Sequence, residues 1–123
     1  MQIDKVLNSV EIAVENISWL ITDKLDQPDY MYELTRQVLR SNPHVVGSAI
    51  AFEPSYYLEK GVMFSPYSYR TQEGIQSKQL GTEDYEYHYM DWYQIPKLLG
   101  KPYWSEPYYD KGGANLIMTT YSL

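Results

Sequence analysis

Residues 84–110 read DYEYHYMDWYQIPKLLGKPYWSEPYYD. The stretch holds two of the chain's three Trp and seven of its 14 Tyr, beside five acidic residues and one of the two His. Tyr and Trp carry an apolar body and a polar tip, so such a density suits a half-wet wall better than a dry core. Its first half fits two periods. Tyr85, Tyr87 and Tyr89 alternate as in a strand. Tyr85, Tyr89, Trp92 and Tyr93 fall at i, i+4, i+7 and i+8, as on one helix face. Thr82-Glu83-Asp84 supplies a helix start with acids where they suit the dipole, and Pro96 a stop. A helix is therefore expected here, with a last turn at Leu98-Leu99-Gly100. The second half pairs with the chain end. Tyr103–Tyr109 and Ala114–Leu123 flank Asp110-Lys111-Gly112-Gly113, which predicts a β-hairpin. Its second run reaches the last residue with no closing element, the pattern of a chain cut inside its fold.

Upstream, His44–Glu53 (HVVGSAIAFE) reads as a strand of small and β-branched residues. Val62–Arg70 alternates as a second strand, which Pro66 demotes to an edge or a bulge. Thr71–Gly74 turns the chain, and Ile75–Leu80 forms a short polar strand. Before these lie two helices. Residues 28–41 carry Met31, Leu34, Val38 and Leu39 at helical spacing, and Asn42-Pro43 ends that run because the residue before Pro avoids the α region. Residues 3–25 form a longer helix. There Ile3, Leu7, Val10, Val14, Ile17 and Ile21 are spaced 4-3-4-3-4, an a/d seam. Two roles stay open for it, a dimerising stalk or a helix packed only on its own domain. The division expected is a stalk helix at 1–27 and a module at 28–123. The order helix, helix, three strands, helix, hairpin makes an α+β fold with an antiparallel sheet.

The whole has 123 residues, enough for one domain with a core of its own. A net charge of −6 with ten scattered Lys and Arg argues against nucleic acid, whose phosphates need a basic footprint, and against anionic membrane surfaces. Cysteine is absent, which excludes disulfides, thiol catalysis and thiolate metal sites. No run of about 18 apolar residues offers a membrane span, and the opening MQIDKV is not a signal peptide. No G-x-S-x-G elbow, H-E-x-x-H pair or Gly-rich phosphate loop is present, so an enzyme is not expected. Glu83, Asp84, Glu86, His88 and Asp91 are metal ligands by type. As sequence neighbours they point around an element and do not converge, so a solvated acidic face is expected and no metal or other cofactor.

The order of elements, and above all Asp91-Trp92-Tyr93 and the run Trp104–Asp110 (WSEPYYD), resembles the membrane-distal half of a double Cache (PAS-like) sensor domain. The resemblance covers nearly the whole chain. It implies an antiparallel sheet of about five strands with helices on one side and a long first helix that often pairs in a homodimer. It also implies a periplasmic or extracellular position in an inner-membrane receptor, of the histidine kinase, chemoreceptor or phosphatase kind. Membrane attachment would come only through flanking segments. The family's amino-acid motif has a Tyr, an Arg two residues before a Trp-Tyr pair, and a later Asp. Tyr85, Trp92, Tyr93 and Asp110 match it, and Met90 stands at the Arg position. Met cannot hold a carboxylate in a bidentate pair, so an α-amino acid held in that way is not expected. Arg70 is a candidate cation from elsewhere.

The expected ligand-binding set is Tyr85, Tyr89, Trp92, Tyr93, Tyr108, Asp110 and Arg70, reading a small polar or carboxylate molecule. Two other functions fit the same residues. One is a ligand-free structural or dimerisation module, and the other is a carbohydrate-binding surface with its rings turned outward.

Overall fold

A computed structural model describes residues 2–82 and 85–100, together with the strand pairs at 103–104, 108–109, 117–118 and 121–122. The described chain is α+β and forms two compact units. One comprises Met1–Ile50 and Pro66–Lys78, and the other Ala51–Ser65 and Gln79–Leu123. Among the described residues no helix is long and apolar enough to cross a membrane.

In the first unit, α1 (Gln2–Asp23) packs along α2 (Tyr30–Ser41). Of the expected seam, Leu7, Val10, Val14, Ile17 and Ile21 are half-buried, so this stripe is the helix's inner face. No described side chain of α1 is fully buried. Ile12 and Trp19, seven residues apart and on the opposite side by the helical repeat, are 50% and 79% exposed. In α2 the apolar positions recur at i, i+3, i+7 and i+8, and Met31, Leu34, Val38 and Leu39 are all buried. Glu33 on its outer face pairs with Arg36 (3.2 Å) and Arg40 (2.5 Å). The Arg40 hydrogen bond, ahead of the other causes, holds the Glu33 carboxyl below its ordinary range.

The end of α2 is held by Arg70. Its guanidinium donates from Nη2 to the carbonyls of Leu39 and Asn42 (2.9 Å to the latter), and from Nε to the carbonyl of Val45 (2.8 Å). Asn42 adds an Nδ2 bond to the Val38 carbonyl (3.1 Å). A cation and side-chain donors thus satisfy carbonyls that the helix itself leaves open.

The sheet of this unit runs β1–β2–β3, with β1 at Gly47–Ala49, β2 at Pro66–Thr71 and β3 at Gly74–Gln79. Strand β1 is shorter than the expected 44–53. Pro66 does not make β2 an edge: β2 is the central strand, antiparallel to β1 with Ser48 opposite Ser68. Pro66 is its first residue, where a missing N–H breaks no rung, and its carbonyl still accepts the Ile50 N–H (3.0 Å). At Gly47 an added Cβ would lie 2.9 Å from the Tyr67 ring, so only glycine lets that ring cross β1.

A line of hydroxyls joins α2 to the central strand β2 and the outer strand β3. Thr35 Oγ1 donates to the Tyr32 carbonyl (2.7 Å) and lies 2.7 Å from Ser68 Oγ; Ser68 Oγ lies 2.8 Å from Ser77 Oγ; Arg36 Nη1 donates to Ser77 Oγ (3.0 Å). Thr35 spends its one proton on the carbonyl. Ser68 must then donate to Thr35, and Ser77 to Ser68. Every proton in the line therefore points one way, from Arg36 to Tyr32.

In the second unit, Phe52 N–H donates to the Phe64 carbonyl (3.1 Å) and Ser55 N–H to the Val62 carbonyl (2.6 Å). The rings of Phe52, Tyr57 and Phe64 pack together with centroids 5.0–5.8 Å apart. The helix expected from Thr82 does not form. Thr82 and Tyr85 exchange two backbone bonds instead (3.0 and 3.2 Å), Tyr87–Tyr89 makes a single 3₁₀ turn, and α3 runs Asp91–Leu99. The alternating period holds for Tyr85 and Tyr87, which are buried at spacing two, and fails at exposed Tyr89; the helical face expected for Tyr85, Tyr89, Trp92 and Tyr93 does not form, and the helix begins only at Asp91. Pro96 lies inside α3 and does not stop it. The helix ends at Gly100, which takes the left-handed conformation (φ 65°) and donates to the Pro96 carbonyl (2.8 Å). Beyond it the expected hairpin is present. Strand β4 (Tyr103–Trp104) pairs antiparallel with β7 (Tyr121–Ser122), and β5 (Tyr108–Tyr109) with β6 (Ile117–Met118). Its Gly-Gly tip lies outside the described residues, as do Glu83 and Asp84 of the acidic group.

Candidate functional site

The aromatic group of the second unit is built around Tyr87, which is fully buried. Trp92 stacks on its ring at 6.4 Å (30°), Tyr93 meets it edge-on at 5.6 Å (66°), and His88 edge-on at 5.8 Å (85°). Trp92 and Tyr93 are themselves edge-to-face at 6.4 Å. Such offset and T-shaped pairs suit the ring quadrupoles. Gly81 makes room for them, since a Cβ there would stand 2.7 Å from the Tyr87 ring and 2.8 Å from Met63 Cβ. The loop holding Gly81 is fixed by Gln79, whose Oε1 accepts the N–H of Ser65 (2.9 Å) and of Gly81 (2.6 Å).

The polar atoms of the group divide into used and unused. Trp92 Nε1 donates to the Tyr85 hydroxyl (3.0 Å), and Tyr85 is buried. The Tyr87 hydroxyl donates to the Phe52 carbonyl (2.6 Å) and accepts the Phe64 N–H (3.0 Å). Burial, as the leading cause, holds its proton on above the ordinary phenol range. Among the described residues the buried side-chain polar atoms without a hydrogen bond are Ser65 Oγ, His88 Nδ1 and the Tyr93 hydroxyl. The Tyr93 hydroxyl faces the Glu53 carboxylate without meeting it in good geometry. Burial first, then that negative charge, drives its pKa far up. Glu53 is in turn held by Lys97, at 2.8 Å on one oxygen and 2.9 Å on the other, and the pair is largely exposed. That bond is the main reason the Glu53 carboxyl is held low. The Lys97 ammonium also stands 5.6 Å from the centroid of the Tyr93 ring.

Of the expected site residues, Tyr85, Trp92 and Tyr93 come together here. Tyr89 does not join them. Because no helix spans 85–90, it does not share a face with Tyr85; it is 65% exposed and packs against His88 at 4.3 Å. Arg70 belongs to the first unit, where its donors serve the end of α2. Tyr108 is placed by its backbone in β5, opposite Met118, and Asp110 lies outside the described residues. Met90, at the position where the family motif has Arg, is half-buried and precedes α3 in an extended conformation. The sequence reading passed over Tyr87, the centre of the group, although the spacing Tyr85, Tyr87 carried the signal. It also passed over Glu53, which is remote in sequence and had none. Among the described residues no three metal-capable side chains cluster.

A family model described as methyl-accepting chemotaxis protein-like, first PDC sensor domain, matches residues 31–123. Among solved structures, the extracellular domain of soHK1S-Z6, assigned as a histidine kinase, superposes with a TM-score of 0.73 at 29% identity. The match covers 94% of this chain and 46% of that one, so the chain spans about half of its length. No curated protein matches the chain.

Proposed function

Since the chain belongs to the methyl-accepting chemotaxis protein-like family of first PDC sensor domains, we propose that it reads a small molecule outside the cell for a transmembrane receptor. The wall that meets the ligand is Tyr85, Trp92 and Tyr93, to which the family resemblance adds Tyr108 and Asp110 as candidates by sequence. The observation that carries this reading is the Tyr93 hydroxyl, buried and without a bond in the aromatic group, where His88 Nδ1 is likewise left without one. A buried hydroxyl left so costs stability and awaits a partner. The ligand class follows from which cations are already spent. Met90 supplies no cation, Arg70 is committed to α2, and Lys97 is neutralised by Glu53. A ligand with a hydroxyl or amine for Tyr93 and an apolar face for Trp92 fits better than a carboxylate in an arginine clamp.

A thermal-shift screen of the chain against amines, polyols, sugars, amino acids and organic acids tests this, because a specific ligand raises the melting temperature by mass action. A hit lost in Tyr93→Phe and Trp92→Ala supports the reading, and a hit untouched by both overturns it. Pairing with a second copy belongs to the same proposal and draws support from Ile12 and Trp19 on the outer face of α1. The second reading, a module that binds nothing, draws on how far the rings satisfy one another, as in the Trp92–Tyr85 bond.

A further inference from the structure

In a regular antiparallel ladder the two residues of a hydrogen-bonded pair exchange both backbone bonds directly. Phe52 and Phe64 exchange only one. Phe52 N–H donates straight to the Phe64 carbonyl (3.1 Å). The return bond is relayed: Phe64 N–H donates to the Tyr87 hydroxyl (3.0 Å), and that hydroxyl donates to the Phe52 carbonyl (2.6 Å). A phenol oxygen is thus inserted into a rung of the ladder. Its ring is the same ring on which Trp92, Tyr93 and His88 pack.

We propose that Tyr87 is the positioning residue that carries the state of the aromatic group into the strands, its ring touching the ligand wall and its hydroxyl wedging the Phe52–Phe64 rung apart. The inference rests on the reading of Trp92 and Tyr93 as that wall. Two arrangements are then available. With the hydroxyl inserted, the rung is relayed and the strands stand apart. With the ring displaced, Phe64 N–H reaches the Phe52 carbonyl directly and the ladder closes. The rung itself is orphaned in neither, since Phe64 N–H and the Phe52 carbonyl are joined through the phenol in one and directly in the other. The absence of a Cβ at Gly81 leaves the ring its seat in the inserted state. A ligand that packs better against Trp92 and Tyr93 in one arrangement shifts the balance by that difference in affinity, and by no other means.

The test reads the rung itself, by the scalar coupling across the hydrogen bond between the Phe64 amide nitrogen and the Phe52 carbonyl carbon. In the native chain this coupling is expected to be absent. In Tyr87→Phe, which keeps the ring and deletes the wedge, it is expected to appear. Its presence in the native chain, or its absence in a folded Tyr87→Phe, overturns the wedge. Trp92→Ala tests the link to the wall without any ligand. It takes away the ring stacked on Tyr87 and is expected to move the Phe64 amide resonance toward its position in Tyr87→Phe. A Phe64 resonance that ignores Trp92→Ala overturns the coupling. A compound from the screen that binds through Trp92 yet leaves Phe64 unmoved overturns the coupling while the ligand site stands. A screen hit indifferent to Trp92 and Tyr93 overturns the ligand site, whatever Phe64 reports.

Discussion

Replacing Thr35 by Val keeps the shape of the side chain and removes one oxygen from the line of hydroxyls beneath α2. The direction of that line decides what is left behind. Ser68 Oγ is fully buried and gives its proton to Thr35. Without the acceptor, that proton has no water to turn to. An orphaned buried donor costs about 1–3 kcal/mol. For a domain of this size each kcal/mol lowers the melting temperature by roughly 3–5 °C. Thr35→Val should therefore melt about 6–10 °C below the native chain, taking a cost of about 2 kcal/mol. Ser77→Ala cuts the same line at its other end. It strands an Arg36 N–H whose side chain is 32% exposed, and water can take it. Its cost should stay within about 0.5 kcal/mol, ordinary for a half-exposed site. The double variant Thr35→Val with Ser68→Ala removes both buried partners and passes the orphan to half-buried Ser77, so it should melt above Thr35→Val alone. Differential scanning fluorimetry with matched calorimetry on the three variants suffices. Equal costs for Thr35→Val and Ser77→Ala, or a double variant that costs the sum of its parts, would refute the direction assigned to the line.

Four further outcomes are expected. Tyr93→Phe removes a buried hydroxyl that has no bond and should raise the melting temperature of the ligand-free chain by roughly 3–5 °C, for a gain of about 1 kcal/mol, which a melt in buffer detects at once. Gly81→Ala presses a methyl against the Tyr87 ring and Met63, at a cost of about 1–3 kcal/mol by overpacking, read as a lower denaturant midpoint with an unchanged slope. Tyr87 and Tyr93 both have pKa values raised by folding. Their contribution is complete below the unfolded phenol value of about 10 and drains as pH rises above it, so urea midpoints at pH 9 and 11 should differ, and less so in Tyr93→Phe. At the acid end Glu33 is lowered by Arg40. That contribution is present above the unfolded carboxyl value of about 4.3 and is lost as pH falls below it, and because the pair is exposed, Glu33→Gln should flatten the acid limb only slightly.

Much of the fold was legible because its signals are local. The two helices announced themselves by spacing and by Asn42-Pro43, and the terminal hairpin by two extended runs around a turn. The helix at Asp91 was placed nine residues early because a capping signal at Thr82 was weighed above an alternation that was just as plain. Tertiary context decided the matter: the Tyr87 hydroxyl finds its partners in Phe52 and Phe64, more than 20 residues away. Pro66 was misjudged for a related reason. Sequence shows that it lacks a donor, but not that a first position in a central strand asks for none. In the site, Trp92 and Tyr93 stood out by type and by family resemblance. Glu53 did not, since only folding brings it beside Tyr93, 40 positions further along the chain. Arg70 was picked for its charge, yet that charge is spent on the carbonyls at the end of α2, a use that no local pattern marks.

The inner face of α1 has a mechanical consequence. Twenty-two residues make a rod about 33 Å long. None of its described side chains is sunk into a core, and the element it rests on is a single shorter helix. A rod so lightly seated has a shallow restoring force, so a small bias at its seat is enlarged along its length. A tilt of roughly 5° would carry the far end by about 3 Å over that length, more than half a helical turn, without breaking a backbone bond within α1. Loose seating is thus leverage, and filling in the face beneath α1 with larger side chains would stiffen the rod and shorten its throw.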